Sequence, residues 1–239
     1  MMTSFNIEKG RIFHYQFLHV GKCGGETIIK SLRDQRLKCT AFHVGTSPQD
    51  IREVILRERD RDAYVVPLRD PFRRFVSAFE WDLYSKVLTK PGKRTKNGVW
   101  QRIFQTFRTA NDVAEALSDS DSVRRETAEL AVHSSSLHMQ MDLGWYLPPD
   151  LAHRLPLDRT IFLRTSYLDG DIPAFLKTLG LNMIGPVPYT KSDYKKFIPR
   201  GRLTTSLSAL AKDNLYHAKR ETFETLDVLR SRFPECQGL

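Results

Sequence analysis

The chain has 239 residues, with 37 Lys and Arg against 28 Asp and Glu and a formal charge of +9 at pH 7. With 41% hydrophobic and 27% charged residues, it is not a disordered, collagenous or coiled-coil sequence, and its length lets folding bury roughly 70–75% of the unfolded surface. Three cysteines without a CxxC pair argue against a disulfide framework or a zinc site, and the basic balance favours an anionic partner.

Glu8, Lys9, Arg11 and His14 interrupt what would have to be the apolar centre of a signal peptide, and no stretch reaches ~18 uncharged apolar residues. A soluble, cytoplasmic protein with no transmembrane segment, folded as a single domain over 1–239, is expected; peripheral membrane contact stays open.

Residues 11–20 are rich in aromatic and β-branched types and stop at Gly21, the pattern of a strand. The spacing of Ile28, Ile29, Leu32 and Leu37 predicts a helix over 25–37 with one buried stripe. A short strand over 38–43 follows. Next comes a helix with Ser47 as N-cap and Pro48 at its first position, burying Ile51, Val54 and Ile55. Ala63 to Leu68 is a nearly unbroken apolar run, as in a strand covered on both faces. It ends at Arg69-Asp70-Pro71, where Asp70 can cap and Pro71 can begin a helix. Alternating strands and helices predict an α/β fold with a parallel sheet flanked by helices, and ligands bind such sheets at the strands' carboxyl ends. Lys22 and Arg69 both fall there.

Residues 86–98 read as a basic surface loop or a rim for an acidic acceptor. Helices are expected over 111–119 and 122–142, the latter carrying Leu130, Leu137 and Met141. Thr160–Arg164 reads as another buried strand, Ile172–Leu179 as a helix, and 204–232 as one or two closing helices. His133 and His138, five apart, have the wrong offset for two ligands on one helical face, so no metal is expected. Trp81, Trp100, Trp145 and Tyr146 suit core packing better than stacking on a ligand. Arg164, ending its strand, is either a second ligand contact or half of an ion pair.

Two stretches carry the chemistry. In Gly21-Lys22-Cys23-Gly24-Gly25-Glu26-Thr27 a strand runs through glycines into a helix, so backbone N–H groups and a helix N-terminus converge on a point suited to an anion. Glycine permits both the positive-φ turn and close backbone approach to an oxyanion. In Arg69 to Phe79, Arg74 and Ser77 lie three apart and share a helical face, a guanidinium and hydroxyl suited to phosphate. A ligand with phosphates at two ends would use both stretches.

Leu18-His19-Val20-Gly21-Lys22-Cys23-Gly24-Gly25-Glu26-Thr27 resembles the 5′-phosphosulfate loop of sulfotransferases, and Arg69-x-Pro71-x-x-Arg74-x-x-Ser77-x-Phe79 resembles their 3′-phosphate motif, in matching order and rough separation. On these residues the chain is identified as a member of the Golgi-type and bacterial carbohydrate sulfotransferase group. The resemblance implies a P-loop-like α/β domain with a helical C-terminal region, using 3′-phosphoadenosine 5′-phosphosulfate (PAPS) as co-substrate without metal. It implies transfer of a sulfuryl group to a hydroxyl of a glycan or glycolipid. It gives the 5′ end of the donor to Gly21–Thr27, with Lys22 stabilising the leaving oxygen, and the 3′-phosphate to Arg69 and Ser77. Arg74 either assists or serves the structure.

His43, between the two motifs, is the implied general base, an imidazole suited to proton abstraction near neutrality; Glu26, Glu80 and His19 compete for the role. Cys23 and Glu26 depart from the hydroxyl residues common at those places. A nucleotide kinase or NTPase is the rival enzyme, although no GxxxxGK[ST] sequence occurs. A basic nucleic-acid-binding module is the rival non-enzyme, without a recognisable reading motif.

Overall fold

The structure, a computed structural model, describes residues 14–43, 46–57, 59–89, 97–188 and 193–237. It divides into two compact units: Met1–Asp70, Leu143–Thr190 and Glu224–Leu239 form one, and Pro71–Asp142 with Lys191–Phe223 the other.

The first unit holds a four-stranded, all-parallel sheet of β1 (His14–Leu18), β2 (Cys39–Phe42), β3 (Asp62–Leu68) and β4 (Thr160–Arg164), in the order β2-β1-β3-β4. Helices flank it, including α1 (Gly25–Asp34) and α2 (Pro48–Leu56). Side chains alternate with period two. Tyr15 and Phe17, Ala63 and Val65, and Ile161 and Leu163 face one way, packing with Ile28 and Leu32 of α1 and with Leu168, Ile172 and Phe175 of the helix Leu168–Thr178. On the intervening positions, Tyr64 donates its hydroxyl to the carbonyl of Val54 in α2, and Phe162 meets Phe233 edge to face at 4.8 Å. The run 62–68 reads as apolar throughout because both faces are covered, and all seven of its residues are buried.

β1 connects outward to β2, and the chain then passes to β3 on the other side of β1. Its order therefore reverses between β1 and β3. The crevice outside the carboxyl ends of those two strands is where parallel sheets of this kind take ligands.

The capping at α2 follows the expectation. Ser47 Oγ accepts from Asp50 N at 3.1 Å while Asp50 answers to Ser47 N at 2.9 Å, with Pro48 in the first turn. Ile51 and Ile55 are buried, and Val54 is half-buried.

The second unit is helical among its described residues. It begins with α3 (Pro71–Leu83), which runs on as a π-helical turn over Tyr84–Leu88. Lys86 to Leu88, expected at the start of a loop, therefore belong to that helical extension; residues 90–96 lie outside the described residues. The helix expected over 122–142 stops at His133. Ser135 Oγ donates to the carbonyl of Ala131 and accepts from Leu137 N, and Ser136 adopts φ 54. The serine side chain thus replaces the next helical bonds and turns the chain. Leu137 and Met141 are buried beyond that turn.

Candidate functional site

The Gly21–Thr27 loop links β1 to α1 through two left-handed residues, Lys22 at φ 70 and Gly24 at φ 77. Alternating hands point successive backbone N–H groups to one side, as in an anion nest. Gly24 caps α1 with no side-chain hydrogen bond. A Cβ on Gly24 would lie 2.7 Å from Leu168 Cδ1, so glycine serves here both for hand and for space. Cys23 is buried at 3% exposure, whereas Glu26 is exposed. The Glu26 carboxylate therefore lies at the surface of the first turn, where it complements the helix dipole.

Arg69, just past β3, donates from Nη1 to the carbonyl of Lys22 at 2.7 Å. It ties the end of one central strand to the left-handed residue of the other's loop and brings a fixed positive charge there. The loop after β4 closes the same region, with Thr165 Oγ1 donating to Leu68 O at 3.0 Å. Arg164 is engaged by Asp171 through Nε and Nη2 at 3.0 and 2.7 Å, and that paired carboxylate holds its proton affinity above the ordinary range. Of its two readings, the ion pair is the one observed.

His43 directly follows β2. Because Leu18 pairs with Phe42 and His19 N continues that ladder to Phe42 O, His19 and His43 lie side by side. Their rings stack at 3.9 Å and 13°, and Phe17 stacks on His19 at 5.2 Å. His19 also rests on Gly25: a Cβ there would come within 1.9 Å of its Cδ2 and Nε2. His43 Nδ1 lies 3.2 Å from the carbonyl of His19. A carbonyl only accepts, so this contact is a hydrogen bond in the tautomer with the hydrogen on Nδ1, which is also the one that places the ring's lone pair on Nε2. Nothing in the local sequence signals this stack, which depends on the register between two strands.

The remaining residues belong to the second unit. Arg74 is 4% exposed and donates from Nη2 to the main-chain carbonyls of His138 and Met141. Ser77 is buried, with Oγ 3.4 Å from the hydroxyl of Tyr194. Both side chains of that helical face are thus buried within their unit, where Arg74 bonds main-chain carbonyls. Glu80, 1% exposed, is paired with Lys195 at 2.8 Å and accepts from Thr204 N.

Sequence reasoning also missed Asp82. This fully buried carboxylate accepts from His138 N at 2.8 Å and contacts its Nδ1 at 2.6 Å. Among the described residues no group of three or more His, Cys, Asp or Glu is placed to hold a metal ion, and no helix is long and apolar enough to cross a membrane.

Comparison with protein-family models, with curated proteins and with solved structures found no match.

Proposed function

We propose that the protein is a PAPS-dependent sulfotransferase with a P-loop-like domain, moving a sulfuryl group to a hydroxyl of a glycan or glycolipid by in-line displacement. The observation that carries this reading is the left-handed loop at the β1–β3 reversal, braced by Arg69, with His43 just past the adjacent strand and stacked on His19. A generic anion site needs only the nest; a group-transfer site also needs a base beside it.

In this reading the loop N–H groups and Thr27 hold the 5′ end of the donor, and Lys22 neutralises charge growing on the oxygen that leaves sulfur. His43 Nε2 takes the proton of the attacking hydroxyl as the oxygen–sulfur bond forms. Sulfuryl transfer, like phosphoryl transfer, is driven by alignment and by stabilising the leaving group, and this loop supplies fixed donors for both.

The test is transfer of labelled sulfate from PAPS to a panel of glycan, phenol and peptidyl-tyrosine acceptors, using the wild-type, Lys22→Ala and His43→Ala proteins. The reading expects turnover with a glycan that falls about 10²–10³-fold in either variant. Failure of the wild-type protein on every acceptor, or full activity in Lys22→Ala, contradicts it.

A further inference from the structure

The stacked pair of imidazoles has a consequence for proton placement. His19 is 6% exposed and is confined between Phe17, His43 and the Cα of Gly25, the first residue of α1. Two imidazolium charges 3.9 Å apart repel strongly even at the effective dielectric of a protein surface. Groups that interact so closely take up protons in two separated steps that belong to the pair. The rings are not equivalent toward an anion: His19 touches the residue that opens the helix N-terminus, while His43 lies one strand farther out.

The elements around the pair add other charges. The loop carries Lys22 and the Cys23 thiol, α1 carries Glu26, Arg69 and Asp70 follow β3, and Arg164 with Asp171 follows β4. These groups are present whether or not an anion is bound, whereas an anion on the loop would act first on the ring that touches Gly25.

We propose that the His19–His43 stack holds one proton at a time and that an anion on the Gly21–Thr27 loop draws it to His19, which keeps His43 neutral. His19 is therefore a positioning residue. Protonated from solvent as the anion binds, it repels a second proton from His43 and leaves Nε2 able to accept one from a hydroxyl. The assignment of His43 as base rests on the sulfotransferase reading; the shared proton does not.

The experiment is a pH titration of the histidine ring C–H signals by NMR, assigned with single-histidine variants, with and without inorganic phosphate. Wild-type protein should show the two rings titrating at midpoints separated by at least about one pH unit. Phosphate should raise the midpoint of His19 and lower that of His43. His19→Phe keeps the stack without the charge, and His19→Gln is smaller if phenylalanine does not fit over Gly25. In either variant His43 should titrate alone, and phosphate should no longer lower its midpoint. If the wild-type rings titrate together, or His43 responds to phosphate identically in the variants, the proposal is overturned.

If the shared proton is found but adenosine 3′,5′-bisphosphate does not bind, the sulfotransferase reading fails while this inference stands. If the protein is active, the acid limb of kcat, measured with donor bound, should move to higher pH in His19→Phe, which loss of packing alone would not produce.

Discussion

Gly25→Ala is the sharpest probe of how the anion loop is built. The added methyl would lie 1.9 Å from two atoms of the His19 ring, well inside contact distance, and that ring is flanked by Phe17 and His43. Relief requires the ring to slide by more than an ångström or α1 to lift from β1. Overpacking of this kind costs about 1–3 kcal/mol. Alanine recovers part of this through its better helix propensity, at most about 1 kcal/mol in a helix interior and less in a first turn. A net loss of about 1–2 kcal/mol follows.

Urea unfolding of four proteins measures it: wild type, Gly25→Ala, His19→Ala and the double variant. If the ring is the obstacle, the double variant is more stable than the sum of the single effects predicts, by about 1 kcal/mol or more. Additive effects, or a Gly25→Ala protein within about 0.5 kcal/mol of wild type, would refute the packing described.

Three further outcomes follow from other parts of the structure. Lys22 holds a left-handed conformation at φ 70, which costs a lysine about 1 kcal/mol relative to glycine. Lys22→Gly should therefore match or exceed wild-type stability in urea while losing at least about tenfold in affinity for adenosine 3′,5′-bisphosphate; a clearly less stable protein contradicts the assignment of strain to function. Arg74→Met removes the donor to two main-chain carbonyls and should lower unfolding free energy by about 1–3 kcal/mol, read from the denaturation midpoint. An unchanged midpoint would remove its structural role. Partial desolvation of the His133 ring, on a residue otherwise exposed at the helix end, and the nearby Lys219 charge lower its proton affinity below the ordinary 6.5. The unfolded chain then binds that proton first, so stability falls as pH drops below about 6.5 toward the folded-state value. His133→Gln should flatten that part of the stability profile, and an unaltered acid slope would count against it.

The sheet was legible because its strands announce themselves in different ways. Residues 62–68 are apolar on both faces, and the aromatic and β-branched run 11–20 stops at Gly21, three residues past the observed strand end at Leu18. Ser47-Pro48 with Asp50 writes a helix start in three residues, and the structure contains that capping box. The stop at His133 was also written, in Ser134-Ser135-Ser136, but helical spacing of Leu130, Leu137 and Met141 drew the prediction past it.

What could not be read was anything set by register or long-range packing. His19 could be named from the sequence as a rival base to His43, but its stacking on that ring follows only once Leu18 is paired with Phe42. Arg74 and Ser77 have the spacing of a phosphate clamp, and that spacing is equally the inward face of a packed helix. Spacing fixes which side chains share a face, and burial decides whether solvent or carbonyl groups meet it. The nest itself lay between these cases: its glycines were visible, but the left-handed lysine and its Arg69 brace are properties of the folded loop.

The most direct test of the central claim is ligand-induced thermal stabilisation by adenosine 3′,5′-bisphosphate in the absence of magnesium. Binding at a hundred times the dissociation constant stabilises by about 2.7 kcal/mol, a rise of about 2–4 °C in Tm per kcal/mol for a chain of this size. The account predicts that rise in the wild-type protein and its loss in Lys22→Ala and Arg69→Ala proteins that remain folded. No rise with the bisphosphate, or a rise produced only by ATP with magnesium, would contradict it.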